Sequence, residues 1–202
     1  RPTPIPFFGE LGSVNPVFIT ADAISERAAE IASGFMTSVS GSAGQLCTKP
    51  GFVFIPEGSS LPESIKATEV AATEHRMLGK RIAQSFEERM NAILESDGVT
   101  TVVDGKLRFD EEGHGWATPT VVSVSLADFR AGHEALVEEA FGPLSILVEV
   151  PADTNLASLM PEFYEGNLTG TLHLGAEEAS GTTDNAGALK ELVEARGFEI
   201  DF

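Results

Sequence analysis

The sequence predicts a layered α/β domain in which a mostly parallel sheet is flanked by helices, with one or two antiparallel strands. Two observations predict this fold class. Apolar runs of strand length alternate with longer segments in which apolar residues recur at helical spacing. The chain also has 202 residues, of which 42% are hydrophobic, so it can bury a substantial core as one domain.

The first predicted elements are a strand and a helix. Residues 16–20 form a short apolar run that is typical of a buried strand. Apolar residues then recur at helical spacing over residues 24–35, and Thr20 or Asp22 can cap the first turn. We expect this helix to end before Gly41, because small and flexible residues follow there.

The only cysteine of the chain, Cys47, lies between this helix and a second buried strand predicted over residues 52–55. Small residues at positions 41–44 would let backbone and substrate approach the thiol closely. On these residues alone, Cys47 is equally consistent with a nucleophile and with an apolar filler of the core.

The alternation continues to the end of the chain. The longest predicted helix covers residues 74–95, where apolar residues fall three or four positions apart. Residues 100–103 and 107–109 are predicted to pair as a hairpin around Asp104 and Gly105. The remaining predictions are strands over residues 118–125, 144–150 and 169–174, and helices over residues 157–165 and 186–195.

Charge and composition exclude several classes of partner. The formal net charge of −18 repels nucleic acid and anionic lipid. No stretch reaches the roughly 20 apolar residues that span a bilayer. A lone cysteine cannot form an intramolecular disulfide, so we expect a reducing, cytoplasmic setting. The four histidines lack the spacing of a metal site, and we expect no metal, nucleic-acid or membrane partner.

Three short stretches carry a resemblance to a known family. They are ELGSVNP at residues 10–16, GQLCT at residues 44–48 and EEAFGP at residues 138–143. In this order they resemble the aldehyde dehydrogenase superfamily, which shows Glu-Leu-Gly-Gly, Gly-Gln-x-Cys-Thr and Glu-Glu-x-Phe-Gly-Pro stretches. Residues 5–16 look most like the branch that contains ketoglutarate-semialdehyde and some fatty-aldehyde dehydrogenases. Ser13 and Val14 depart from the Gly-Lys that is commoner in the superfamily.

The resemblance implies roles for five residues. Cys47 would be the nucleophile that attacks an aldehyde, and Glu10 the general base that activates water to hydrolyse the thioester. Glu139 would bind the nicotinamide ribose hydroxyls, Phe141 would pack near the nicotinamide, and the Leu11 backbone would lie beside its carboxamide. The resulting reaction is the oxidation of an aldehyde to a carboxylic acid with NAD or NADP as cofactor.

The order of these residues suggests where they meet. Glu10 and Cys47 each precede a predicted strand, so neighbouring parallel strands would bring both to one side of the sheet. We expect the site on that side of the sheet, because open α/β sheets hold their ligands at one end of their strands.

The resemblance further implies that residues 1–202 form a single catalytic, thiol-bearing domain of a longer enzyme, with the three-layer fold of aldehyde dehydrogenase catalytic domains. Neither G-x-G-x-x-G nor G-x-x-x-x-G-K-[ST] occurs in the sequence, so we expect the cofactor to be bound mainly by a domain outside this chain. The family's C-terminal oligomerisation segment is also expected to be absent. The implied partners are an aldehyde, the remainder of the full-length chain and, in that longer enzyme, further copies of the subunit.

Two other hypotheses remain open from the residues. The chain is also consistent with a cysteine-dependent acyl-transfer hydrolase, in which a histidine activates Cys47. The second alternative is a non-catalytic acidic module whose cysteine is buried. Reactivity of the native thiol distinguishes this second alternative from the enzymes.

Overall fold

The structure is a computed structural model that describes residues 14–68, 74–159, 162, 168–180 and 187. Its helices are α1 (Ala21–Ser40), α2 (Leu61–Lys66), α3 (Lys80–Leu94), α4 (Leu126–Ala131), α5 (His133–Val137) and α6 (Ala176–Ser180). Two 3₁₀ helices cover Gly41–Gly44 and Leu156–Ser158. Its strands are β1 (Asn15–Ile19), β2 (Pro50–Pro56), β3 (His75–Arg76), β4 (Thr100–Val103), β5 (Leu107–Phe109), β6 (Gly115–Ala117), β7 (Thr120–Ser125), β8 (Leu144–Val150) and β9 (Thr171–His173).

The central sheet has six strands in the order β4-β7-β8-β2-β1-β9. All neighbours from β7 to β9 are parallel, and only β4, at the edge, runs antiparallel to its neighbour. The middle strands β8, β2 and β1 are buried on both faces and are mostly apolar in sequence, as parallel strands are. A separate small antiparallel sheet consists of β3, β6 and β5.

Alternate residues of the strands point to two apolar clusters, one on each face of the sheet. On one face, Phe18 and Phe54 stack at 4.9 Å and pack with α3, α4 and α5. On the other face, Val17 and Val53 pack with α1 and α2. The predicted three-layer α/β fold, with a mostly parallel sheet flanked by helices, is therefore confirmed.

Helix α1 leads from the first strand to the cysteine. The Thr20 hydroxyl caps it by accepting a hydrogen bond from the Ala23 N–H at 3.3 Å. Its buried face includes Ile24, Ile31 and Phe35, which are among the residues that predicted it. The helix ends at Ser40, before Gly41, as expected.

The predicted hairpin over residues 100–109 is wrong, although both strands exist. β4 pairs with β7 in the central sheet, whereas β5 pairs with β6 in the small sheet. Gly105 lies so close to Pro119 and Thr120 that any side chain there would overlap them. The segment between the two strands therefore crosses from one sheet to the other instead of reversing in a tight turn.

The predicted helix over residues 74–95 is wrong in its first part. Helix α3 begins at Lys80, and His75–Arg76 form a strand that pairs with β6. Gly79 is extended (φ −157°, ψ 158°), so the helical conformation cannot continue through it. Leu78, which the helical spacing assigned to the apolar face, is 72% exposed.

The other predicted elements divide into confirmed strands and segments that are not fully described. The strands expected over residues 16–20, 52–55, 118–125, 144–150 and 169–174 are confirmed as β1, β2, β7, β8 and β9 with small shifts at their ends. The helix predicted over 157–165 coincides only in part with described residues, which include the 3₁₀ helix Leu156–Ser158. The helix predicted over 186–195 lies outside the described residues, apart from position 187.

Candidate functional site

Cys47 lies on a turn between the 3₁₀ helix Gly41–Gly44 and strand β2, and its side chain is exposed. The predicted position in a helix-to-strand connection is confirmed. The alternative of a buried cysteine that fills the core is wrong, because Cys47 is exposed. An exposed thiol on a turn is accessible to a substrate carbonyl.

The backbone before Cys47 adopts a left-handed conformation at three consecutive residues. Ser42, Ala43 and Gly44 have φ values of 50°, 55° and 65°. Such angles cost about 1–2 kcal/mol for a residue with a β-carbon, so the contacts around this turn must hold it.

One of these contacts joins the turn to the EEAFGP stretch. A β-carbon on Gly44 would overlap the carbonyl oxygen of Gly142 and the Cα of Pro143. Only a residue without a side chain lets the two backbones approach so closely. The structure thus brings the Cys47 turn and the segment of Glu139 and Phe141 together, although they are far apart in the sequence.

Asn15 supplies a second set of contacts to the cysteine turn. It is 2% exposed, and its Nδ2 donates to the carbonyls of Cys47 at 2.8 Å and Lys49 at 3.0 Å. Its Oδ1 accepts from the backbone N–H groups of Leu168 at 3.2 Å and Thr169 at 2.9 Å. Sequence reasoning missed this residue as a site component, although it belongs to the ELGSVNP stretch that carried the resemblance.

Gln45 supplies a third set of contacts to the cysteine turn. Its Nε2 donates to the Ser42 carbonyl at 3.0 Å, and its Oε1 accepts from the Leu78 N–H at 2.8 Å. The glutamine of the GQLCT stretch therefore closes the left-handed turn and ties it to the segment before α3. The available signal in the sequence was the position of Gln45 inside the GQLCT stretch that carried the resemblance.

Lys49 is a further site component that sequence reasoning missed. It is 7% exposed, and its Nζ donates to the Leu144 carbonyl at 2.6 Å. Burial lowers the pKa of the Lys49 ammonium to about 8, and the nearby Glu139 carboxylate partly offsets this by raising it. The lysine beside the cysteine is thus electrostatically coupled to the predicted cofactor ligand.

Phe141 and Glu139 are half-buried and line one side of a cleft of about 260 Å³. The other side is formed by helix α3, which contributes Ile82, Ser85 and Arg89. Arg89 holds this region by donating to the Ala135 carbonyl at 2.6 Å and pairing with the Glu138 carboxylate at 3.3 Å. An aromatic ring beside a carboxylate suits a ligand that has both an apolar plane and hydroxyl groups.

Glu10 and Leu11, the other two predicted site residues, lie outside the described residues. The chain is described from Val14, and β1 begins at Asn15, directly beside the start of β2. Glu10 and Leu11 therefore precede β1 as Cys47 precedes β2 and as Phe141 precedes β8.

The described site residues meet at one end of the parallel strands. The described site residues Cys47, Glu139 and Phe141 all precede parallel strands, so they lie at the amino ends of the strands. Many open α/β sheets hold their ligand at the loops that leave the strands, whereas here the entering segments contain the site residues.

Neither metal clusters nor membrane spans are found within the described ranges. No group of three or more histidine, cysteine, aspartate or glutamate side chains there could hold a metal ion. Among the described helices, none is both long and apolar enough to cross a membrane.

Comparison with known proteins identifies the family of this chain. A family model described as "Aldehyde dehydrogenase family" matches residues 5–162. Two curated relatives are the alpha-ketoglutaric semialdehyde dehydrogenase of Acinetobacter baylyi, 30% identical over 85% of this chain, and alpha-ketoglutaric semialdehyde dehydrogenase 2 of Azospirillum brasilense, 31% identical over 88%. Their names confirm the resemblance to the ketoglutarate-semialdehyde branch. This chain spans 32% and 34% of their lengths, about a third.

The fold is also that of solved family members. The crystal structure of an NAD-dependent aldehyde dehydrogenase from Burkholderia multivorans is similar over 95% of this chain and 35% of its own, with a TM-score of 0.67 at 18% identity. The site stretches, the family match and the fold agree with one another. The chain therefore belongs to the aldehyde dehydrogenase family.

Proposed function

We propose that this chain is the thiol-bearing catalytic domain of an NAD(P)-dependent aldehyde dehydrogenase that oxidises an aldehyde to a carboxylic acid. The observation that carries this proposal is the packing of the exposed Cys47 turn against the Glu139–Pro143 segment through Gly44. That contact brings a candidate nucleophile beside a candidate cofactor-binding segment.

In the proposed reaction, the Cys47 thiolate forms a bond to the aldehyde carbon and gives a tetrahedral thiohemiacetal anion. The Cys47 backbone N–H is a proposed donor to this oxyanion. Loss of hydride from the same carbon then leaves a thioester on Cys47. Glu10 takes a proton from water, the resulting hydroxide attacks the thioester, and the acid departs as the thiolate is restored.

The residues around Phe141 suit a nicotinamide nucleotide. The Glu139 carboxylate can accept hydrogen bonds from ribose hydroxyls, and the Phe141 ring offers an apolar surface at the cleft beside α3. The Leu11 backbone is proposed to contact the carboxamide. When bound, NAD or NADP would accept the hydride that leaves the substrate carbon.

The proposal extends to the longer protein that would contain this chain. Because the chain spans about a third of its curated relatives, we propose that the cofactor is held mainly by a separate domain and that the complete enzyme is a homo-oligomer. A cytoplasmic location is proposed because the Cys47 thiol must remain reduced to react. The first substrate to test is alpha-ketoglutaric semialdehyde, because both curated relatives are named for it.

The test compares variants in the enzyme that contains this chain. Cys47→Ala should lower the rate of cofactor reduction by at least about a thousandfold, because it removes the nucleophile. Glu10→Gln should slow the steady state by about a hundredfold or more while a first burst of reduced cofactor remains, because it impairs deacylation. Glu57→Gln, at an exposed position after β2, is the matched control and should leave both phases unchanged.

Four results would contradict the proposal or a part of it. Full activity of Cys47→Ala would rule out Cys47 as the nucleophile. An unchanged steady-state rate in Glu10→Gln would rule out Glu10 as the general base. Release of acid from a thioester substrate as the main activity, with no cofactor reduction, would instead support the acyl-transfer hydrolase. We also expect the isolated chain to reduce no NAD or NADP, so sustained turnover by it would refute the division into two domains.

A further inference from the structure

Lys49 places a positive charge inside the apolar layer beneath the candidate site. The side chain is 7% exposed and borders a small cavity with apolar walls. These walls include Val14, Phe52, Ile93, Leu136, Ala140 and Ile146. A charge in such a place is unfavourable unless hydrogen bonds and an opposite charge compensate it.

Two groups compensate the ammonium, and both belong to the segment around the proposed cofactor ligand. The Leu144 carbonyl accepts a hydrogen bond from Nζ at 2.6 Å, and the Glu139 carboxylate, which lines the same cavity as Lys49, acts on the ammonium electrostatically. Glu138 lines the same cavity, but its carboxylate pairs with Arg89 at 3.3 Å and its side chain is 69% exposed. Glu139 is therefore the acidic group to which the Lys49 charge is coupled.

The backbone of Lys49 belongs to the cysteine turn. Its N–H donates to the Leu46 carbonyl at 3.1 Å, and its carbonyl accepts from Asn15 at 3.0 Å. One residue thus contributes its main chain to the turn that carries Cys47 and its side chain to the segment that carries Glu139.

We propose that Lys49 is a positioning residue, whose buried ammonium group holds the Glu139 carboxylate and the start of β8 against the Cys47 turn. This inference rests on the proposed roles of Cys47 and Glu139. Lys49 itself contacts neither substrate nor cofactor in this proposal. It orients the Glu139 carboxylate toward the ribose hydroxyls that it would bind.

The first experiment measures the coupling without any cofactor. In this chain with isotope-labelled lysine side chains, NMR titration should give Lys49 a midpoint near pH 8. Glu139→Gln should lower that midpoint, because it removes the carboxylate that favours the charged amine. An unchanged midpoint in Glu139→Gln would overturn the proposal, and this measurement does not require a Lys49 variant to fold.

The second experiment measures cofactor affinity in the enzyme that contains this chain. Lys49→Met should raise the Kd of NAD by about tenfold, the loss expected for one misplaced charge-assisted hydrogen bond. The alkylation rate of Cys47 by iodoacetamide should stay within about twofold, because the Asn15 and Gln45 contacts still hold the turn. Lys66→Met, at an exposed position of α2, is the matched control and should change neither quantity.

The two proposals fail in different ways. If Glu139→Gln raises the Kd of NAD and Lys49→Met does not, the role of Lys49 is overturned and that of Glu139 stands. If Glu139→Gln leaves the Kd unchanged, the proposed role of Glu139 in cofactor binding is overturned first. In Lys49→Met, the Cys47 alkylation rate could fall by the same factor as the NAD affinity. That result would indicate general disruption of the site and overturn the specific coupling of Lys49 to Glu139.

Discussion

The Asn15 carboxamide donates a hydrogen bond of 2.8 Å to the carbonyl of Cys47, and so connects the first strand directly to the residue that carries the thiol. The same amide also forms hydrogen bonds with backbone groups of Lys49, Leu168 and Thr169. Four backbone groups from two distant parts of the chain therefore depend on one buried side chain.

Asn15→Ala should lower the free energy of unfolding by about 2–4 kcal/mol, because it leaves several buried backbone groups without partners. It should also change the rate at which Cys47 reacts with iodoacetamide in the folded chain, because the turn loses its anchor. Chemical denaturation and alkylation kinetics measure the two effects. Asn91→Ala, on the exposed side of α3, is the control and should be nearly neutral; a similar loss in both variants would contradict the anchoring role.

Gly44→Ala should destabilise the fold strongly, because its β-carbon would overlap the backbone of Gly142 and Pro143. We expect a loss of at least about 3 kcal/mol, since backbone atoms cannot move aside as a flexible side chain can. Thermal or urea unfolding measures it.

The same substitution at Gly34 is the matched control. Gly34 lies on the exposed side of α1, and a β-carbon there would meet nothing within 4 Å. Gly34→Ala should therefore stabilise the chain by up to about 1 kcal/mol. Equal effects at the two positions would mean that the close approach at Gly44 is not the cause.

The Lys49 ammonium should make stability rise with pH in alkaline solution. Burial lowers its pKa from 10.5 to about 8, so between these values the unfolded chain holds a proton that the folded chain has released. The free energy of unfolding then increases by about 3 kcal/mol across this window, which corresponds to the difference in pKa.

Lys49→Met isolates this effect from that of the other titrating groups. The difference in unfolding free energy between the native chain and Lys49→Met should change through the window from pH 8 to 10.5 and stay constant below it. Urea denaturation at a series of pH values measures the difference. A difference that is constant at all pH values would show that Lys49 keeps an ordinary pKa.

Phe129 should be a major contributor to stability. It is fully buried on α4 and meets the rings of Phe52 at 5.1 Å and Phe54 at 6.3 Å edge-on. Phe129→Ala should cost about 3–5 kcal/mol through lost burial and the cavity left behind. Phe109→Ala, at a 38% exposed position of β5, should cost less than about 1 kcal/mol in the same unfolding assay.

Apolar periodicity predicted the main layers well because the parallel strands are buried on both faces. Residues 144–150 form a mostly apolar run, broken by Ser145 and Glu149, that coincides with β8. The pairing of β4 and β5 was not predictable in the same way, because a strand pattern does not identify its partner. Asp104 and Gly105 resemble a hairpin turn locally, but Gly105 is required by its contact with Pro119 and Thr120.

The residues of the candidate site were predictable only where a reactive group and a family pattern coincided. Cys47 and Glu139 stood out for this reason, and their roles stay predictions. Asn15 and Lys49 act through backbone carbonyls that are distant in the sequence, at Cys47 and Leu144. Neither spacing nor composition indicates such contacts, so only the folded chain shows them.

The left-handed backbone of Ser42, Ala43 and Gly44 determines when the turn that carries the thiol becomes ordered. An isolated loop would visit these angles rarely, whereas the surrounding contacts impose them once the domain has folded. The turn therefore loses its conformational entropy during folding, and substrate binding does not have to order it. Reactivity of Cys47 should consequently follow the folded population, and partial opening of this turn should alter the orientation of the thiol before the rest of the domain unfolds.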